Sequence, residues 1–210
     1  MSHQGNKINL SAEQVTAAYL NKLKEIVEIN QLKHKELVLS VPAYFNEAER
    51  KALIDAAAIA GIPLTKIIDE QEAVALNYGI SKRLDLDEQH GRNVLFIDFG
   101  HSKFSTYLCN LKKESGSVLY QSHSRNLGCK NIDTEIFEFY RSMFLKNTGS
   151  DLGDSKKASI KLMDAIEKQR KILSGIKEHE MNLEYLMDEN DLQYTLKRSE
   201  LEDLAKAILN

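Results

Sequence analysis

Behind Ser11, apolar positions recur at helical spacing. Val15, Ala18, Leu23, Ile26 and Val27 lie in one helix that the Ser11 hydroxyl can cap. The next apolar pattern has a period of two. Leu37, Leu39 and Val41 fall on one face and Pro42 closes the run, which predicts a strand. Asn46 then caps "EAERKALIDAAAIAG", a helix whose alanines permit close packing and which Gly61 ends. "LTKIID" reads as a further short strand, running into a helix from Glu70 to Tyr78 that Gly79 is expected to stop. Helix, strand, helix, strand, helix implies parallel strands joined by helical crossovers.

The texture changes at "NVLFIDFGHSKFSTYLCNL", Asn93 to Leu111. Val94 to Ile97 is a continuous apolar run, as in a strand buried on both faces. "KFSTYLCNLKK" and "SVLYQSHSR" extend it as a meander that turns at "KESGS". Helices follow at about 131–145 and 155–174, then a strand pair, "EHEMNLEYLM" and "LQYTL", around the acidic turn "DEND". Ser199 is expected to cap a last helix, Glu200 to Leu209. The class is α/β. Two parallel strands are few for a kind of sheet that is normally covered and multi-stranded, so the pattern predicts a fragment of something larger.

Bulk properties narrow the class of function. Lys and Arg number 28 against 31 Asp and Glu, and a net charge of −3 gives no reason to expect a nucleic-acid or membrane partner. No window approaches the ~20 apolar residues of a membrane span, and "MSHQGNKINL" lacks the apolar core of a signal peptide. Cys109 and Cys129 make no disulfide framework and suit a reducing compartment. The histidines are scattered without metal-ligand spacing, so no directly bound metal is expected. The nearest thing to a linker is the charged stretch "SKRLDLDEQHGRN", Ser81 to Asn93.

Four places carry candidate chemistry. An aspartate at a strand end, Asp98, can hold water or Mg²⁺ beside a phosphate, and the turn of Gly100, His101, Ser102 and Lys103 can offer backbone N–H groups to phosphate oxygens. The same D-x-G pattern is also a common hairpin turn. In "EKQRKILS", Glu167, Arg170, Lys171 and Ser174 share a helix face. A cation there can lie over a planar ring and an acid can take sugar hydroxyls, or the four can form an ordinary solvated face. Glu70 starts a helix, where an acid also favours the helix dipole. Pro42 and Arg50, in "SVPAYFNEAER", join a strand end to a helix.

The order of these pieces carries a resemblance. "VPAYFNEAERKALIDAAAIAGI", "IIDEQEAVALNYGI", "NVLFIDFGHSKFS", "NLGCKNID" and "EKQRKILS" succeed one another as in the nucleotide-binding domain of the 70-kDa heat-shock chaperone family. "DFGHSKFS" is closer to the 110-kDa members, because the common pattern D-L-G-G-G-T is replaced here by His101, Ser102 and Lys103 after Gly100. The resemblance implies an actin-like, ribonuclease-H-like ATPase fold of two lobes. It implies that residues 1–87 are part of lobe I, 88–127 the start of lobe IIA, and 128–210 a helical IIB-type subdomain leading into the returning lobe IIA helix.

Carried over, the resemblance gives Asp98 and Glu70 to the organisation of Mg²⁺ and water, and Gly100 to Lys103 to phosphate. It gives Glu167, Arg170, Lys171 and Ser174 to adenine and ribose, with Lys171 at the place of the stacking arginine. Pro42 and Arg50 match the pair that reports nucleotide state, and Cys129 replaces the second glycine of a G-G turn. The first phosphate loop and catalytic lysine of the family precede this stretch, and a second adenosine loop follows it. The expected activity is therefore that of an ATP-binding chaperone or co-chaperone, a nucleotide exchange factor for a 70-kDa partner, with ATP/ADP and Mg²⁺ in the intact parent. Negligible hydrolysis and weak or no nucleotide binding are expected in this stretch alone. The alternative is a non-catalytic scaffold that docks 70-kDa chaperone or exchange-factor proteins through the IIB-type part. Unfolded clients would engage a region further along the parent. The compartment is cytoplasmic, with the endoplasmic reticulum lumen as alternative. Exposed strand edges predict a homodimer through the sheet, or poor order in roughly the first thirty residues.

Overall fold

The computed structural model describes residues 2–3, 6–7, 9–32 and 37–209. Two compact units emerge: Met1–Phe96 with Tyr107–Gln121, and Ile97–Thr106 with Ser122–Asn210. We refer to them as unit 1 and unit 2.

Unit 1 begins with a small antiparallel pair, β1 (Ser2–His3) and β2 (Asn6–Lys7). Helix α1 (Ala12–Ile29) starts at Ser11, whose hydroxyl accepts the Gln14 N–H while the Gln14 side chain takes the Ser11 N–H, a reciprocal capping box. The expectation of a poorly ordered first thirty residues therefore meets a capped helix over most of that span; residues 1, 4, 5 and 8 lie outside the described residues. Asn46 and Glu49 make the same box at the start of α2 (Glu47–Ile59). Ala17 and Leu20 of α1 are buried with Ala56 and Ala57 of α2. Gly61 ends the helix with φ +63, a conformation that favours glycine.

β3 (Leu37–Val41) pairs in parallel with β4 (Leu64–Asp69), as the alternation of helix and strand requires. α3 (Glu70–Ser81) follows directly. It runs through Gly79 and ends at the Lys82 cap, whose N–H reaches the Tyr78 carbonyl at 2.9 Å. An isolated glycine costs about 1 kcal/mol in a helix without stopping it.

The meander β5 (Arg92–Phe99), β6 (Phe104–Leu111) and β7 (Gly116–Ser124) forms a three-stranded sheet in that order, and the unit boundary crosses all three strands. On its unit 1 side, Tyr107, Cys109 and Leu111 are buried with Ala75 and Leu86, and Phe96 stacks on Tyr107 at 4.9 Å.

Unit 2 is built on α4 (Cys129–Thr148), α5 (Lys156–Leu173), the hairpin of β8 (Glu178–Met187) and β9 (Asn190–Lys197), and α6 (Arg198–Leu209). Ile132, Ile136, Tyr140 and Phe144 repeat every four residues along α4, and Leu162, Ile166 and Leu173 answer them from α5. The Tyr140 hydroxyl donates to Gln169 at 2.8 Å, and the Gln169 amide donates to the His179 carbonyl at 2.9 Å. β8 and β9 are antiparallel and close on Asp188 and Glu189, both at positive φ as a two-residue hairpin turn of this kind demands.

Two helix starts differ from the sequence expectation. α4 begins at Cys129, two residues earlier than its apolar pattern suggests. α6 begins at Arg198, so Ser199 lies inside it. Glu200 takes the place of a cap, accepting the Lys197 N–H at 2.9 Å and the Tyr194 hydroxyl at 2.8 Å.

Replacing Leu162, fully buried between α4 and α5, with Ala is expected to lower the stability of unit 2 by about 2–5 kcal/mol in a urea titration followed by helix signal. A second expectation concerns acid. Asp151 takes the Arg141 guanidinium at 2.6 and 2.8 Å and the Gly153 N–H, which hold its carboxyl down to about 2. A carboxyl depressed in the folded state stabilises above its unfolded value and loses that contribution as pH falls toward 2. Asp151→Asn should therefore flatten the decline of the thermal midpoint between pH 4 and pH 2 relative to the parent sequence; an unchanged decline would count against the pair.

Candidate functional site

β5 delivers Asp98, exposed, to the mouth of the turn that carries Gly100, His101, Ser102 and Lys103. The Gly100 N–H donates to the Lys103 carbonyl at 2.9 Å and closes the hairpin. The carbonyls of Gly100 and His101 face the start of α4. They accept the Cys129 N–H at 2.9 Å and the Lys130 N–H at 2.8 Å, so two of the helix's first N–H groups, which lack an intrahelical partner, are satisfied by the turn. The Asn131 side chain takes the Gly128 N–H at 2.9 Å.

This approach is close. A Cβ on Gly128 would stand 2.5 Å from the His101 carbonyl oxygen and 2.8 Å from the Ser102 nitrogen. Gly128 has extended backbone, φ −177, so it is space rather than conformation that requires glycine there. With its carbonyls engaged by α4, the turn leaves the N–H groups of His101 and Ser102 without an acceptor among the described residues. Adjacent N–H groups at an exposed tip are the kind of donor set that holds an anion.

α5 and its C-cap residue contribute Glu167, Arg170, Lys171 and Ser174 to the same unit, and they do not behave alike. Lys171 reaches Glu167 at 2.6 Å on the exposed face. That bond lowers the Glu167 carboxyl. The Ser174 hydroxyl donates to the Lys171 carbonyl at 2.6 Å, and the Ser174 carbonyl accepts from Arg198. Arg170 turns inward. Its Nε and Nη2 meet Asp133 of α4 at 2.5 and 3.1 Å, a two-bond fork on a carboxylate only 2% exposed. That bond to Asp133 raises the Arg170 guanidinium further above its ordinary value.

Asp133 is the residue that sequence reasoning passed over. A carboxylate at the apolar spacing of Ile132, Ile136 and Tyr140 was the available signal, because a buried acid asks for a cation.

In unit 1, Pro42, Arg50 and Glu70 gather around one short path. The Phe45 N–H donates to the Pro42 carbonyl at 2.9 Å, the Arg50 Nε donates to the Phe45 carbonyl at 3.0 Å, and the Arg50 Nη2 meets Asp69 at 2.5 Å. Asp69 is the N-cap residue of α3 and directly precedes Glu70, yet it makes no side-chain cap. Its carboxylate is given to Arg50 instead. Glu70 thus belongs to unit 1 and Asp98 to unit 2. Gln71 is 5% exposed, with its Oε1 unpartnered among the described residues. A cleft of about 560 Å³ in unit 1, between α3 and the β6–β7 turn, includes none of the candidate ligand-binding residues. Among the described residues no group of three His, Cys, Asp or Glu is placed to hold a metal.

A sequence model of the Hsp70 protein family matches residues 1–210. The chain belongs to the Hsp70 family. It is 34% identical over 209 residues to heat shock 70 kDa protein 14 of Arabidopsis thaliana, covering 99% of this chain and 25% of that protein. It is 34% identical to a heat shock protein homolog of Eremothecium gossypii, covering 98% and 30%. A ribosome-associated molecular chaperone of Saccharomyces cerevisiae is likewise 34% identical, with coverage of 94% and 32%. The chain thus spans about a quarter to a third of the length of these Hsp70 relatives. The architecture is that of the Hsp70 actin-like ATPase domain, and the parallel β3–β4 pair with its crossover helix α2 follows the α/β pattern of that fold.

Gly128→Ala is expected to push the turn off α4. Stability should fall by about 1–3 kcal/mol, and the Cys129 and Lys130 amides should exchange faster with solvent deuterium. Unchanged protection at those two amides would show that the close approach is dispensable.

Proposed function

We propose that the parent protein is an ATP-binding chaperone or co-chaperone of this family, acting as a nucleotide exchange factor on a 70-kDa partner. Residues 1–87 serve as part of lobe I, 88–127 as the start of lobe IIA and 128–210 as the IIB-type subdomain with the first part of the returning lobe IIA helix. The observation that carries this reading is the pair of His101 and Ser102 N–H groups left unclaimed at the turn while its carbonyls bind α4.

The residues present fit a phosphate-bearing ligand. The two N–H groups and the Lys103 ammonium hold phosphate oxygens, Glu167 takes a ribose hydroxyl, and Lys171 and Ser174 border the base. Asp98 is the acid of unit 2 that would orient water around Mg²⁺, and Glu70 of unit 1 is assigned the same task in the parent by family resemblance alone. Nucleotide supplies the charge that these groups recognise. His101, Ser102 and Lys103 add side chains where glycines would let the backbone wrap closely, so the turn suits holding more than turnover. Pro42 and Arg50, joined through Phe45 and to Asp69 beside Glu70, form the path by which occupancy is reported. The parent works in the cytoplasm, or in the endoplasmic reticulum lumen, and its unfolded clients engage a different region of the parent.

A second reading makes unit 2 a docking scaffold. Tyr185 favours it: on the β8–β9 hairpin, it is 76% exposed at φ 47, an aromatic anchor held by the Asp191 carboxylate on its N–H. Calorimetric titration separates the two. The parent should bind ATP–Mg²⁺, and Lys103→Ala should weaken that binding about tenfold, the scale of a charge-assisted bond to phosphate. This stretch alone should bind weakly and hydrolyse negligibly. A parent without measurable nucleotide affinity, yet captured by the 70-kDa partner through Tyr185, would establish the scaffold instead.

A further inference from the structure

We infer that Arg170 and Asp133 act as a positioning strut that sets the turn at 100–103 from α5, and that Arg170 does not contact the ligand itself. The inference rests on the nucleotide-binding reading of that turn and changes the role of one of its residues.

The chain of contacts lies wholly within unit 2. Arg170 leaves the exposed face of α5, where Glu167 and Lys171 pair with each other, and puts two N–H groups on the carboxylate of Asp133. Arg170 keeps 18% of its side chain exposed and Asp133 only 2%, so neither group can turn toward solvent without stranding the other. Asp133 lies in the first turns of α4, five positions after Gly128. The backbone at Cys129 and Lys130 holds the carbonyls of Gly100 and His101. Those carbonyls belong to the peptide units whose N–H groups sit at His101 and Ser102, and a peptide unit is planar. Fixing each carbonyl therefore fixes the direction of the N–H group on the other side of the same plane. The strut holds α4 on α5, α4 holds the carbonyls, and the donors of the turn are aimed as a consequence. Gly128 is the contact point, since any Cβ there would strike the His101 backbone.

The full chain carries the test, with amide hydrogen exchange and ATP–Mg²⁺ titration as separate readouts. Asp133→Asn and Arg170→Gln should each speed exchange at Cys129 and Lys130 and weaken ATP about tenfold, the scale seen when a group that orients a ligand-holding residue is lost. The double variant should be no worse than either single one, because both break the same strut. Arg170→Lys, which keeps the charge and loses the fork, should fall between and serves where a neutral variant fails to fold. Loss of ATP affinity in Arg170→Gln with Cys129 and Lys130 still protected, and with Asp133→Asn without effect, would overturn the inference and return Arg170 to the ligand. Unaltered exchange in all variants would overturn it as well. If the chain binds no ATP at all, exchange alone decides the strut, and the failure falls on the nucleotide reading.

Discussion

The first N–H groups of α4 need acceptors, and in unit 2 they find them on the turn between β5 and β6. Much of the site follows from that need. The Gly100 and His101 carbonyls are engaged by the helix, so the turn presents its N–H groups outward. The approach is tight enough to exclude a Cβ at Gly128, which makes the position of the turn a consequence of where α4 lies. α4 in turn lies where its stripe of Ile132, Ile136, Tyr140 and Phe144 meets α5 and the β8–β9 hairpin. A core of ordinary apolar packing therefore ends, at the N-terminus of α4, in a polar device.

The same arrangement explains why substitution of the turn glycines is tolerable. In a turn that must wrap a ligand with bare backbone, side chains at 101 and 102 would compete for the space. Here the side chains of His101 and Ser102 are exposed and the constraint falls on their backbone. The glycine that cannot be exchanged is Gly128, across the contact. Cys129 is already inside α4, where a cysteine is no worse a helix residue than a glycine would be.

Capping signals hold where both partners lie within one turn of chain, whereas the apolar run Val94 to Ile97 alternates instead of being buried on both faces, with Leu95 59% and Ile97 66% exposed. Ser11 with Gln14 and Asn46 with Glu49 each form the capping box that their spacing allows, and β3 and β4 pair in parallel as the alternation of elements requires. Errors arose where a neighbour overrides a local preference. Gly79 has the look of a helix stop, but α3 continues past it to Ser81. Ser199 has the look of a cap, but Glu200 reaches back to Lys197 and Tyr194, and α6 starts at the strand end. In the candidate site the shared face of Glu167, Arg170, Lys171 and Ser174 was legible from spacing alone. That Arg170 abandons this face for Asp133 was not, since the partner lies 37 residues away and only the packing of α4 on α5 brings it near.

Asp69 shows the same competition between local and distant partners. As N-cap of α3 it is placed to accept an N–H of its own helix, and an aspartate there is a favourable choice. It takes the Arg50 guanidinium instead, giving up a bond within the helix for one that ties the helix to the end of β3 through Phe45 and Pro42. A cap bond and a half-buried ion pair are each worth on the order of 1 kcal/mol, so neither dominates by strength. What the ion pair adds is connection. It joins a strand end, a helix start and the neighbouring Glu70 by groups whose positions depend on one another, so a displacement at either end must be shared along the path. Unit 1 and unit 2 thus each contain an arginine–aspartate pair that links two elements beside a candidate ligand group, and in each the arginine is a residue that spacing alone would have left on the surface.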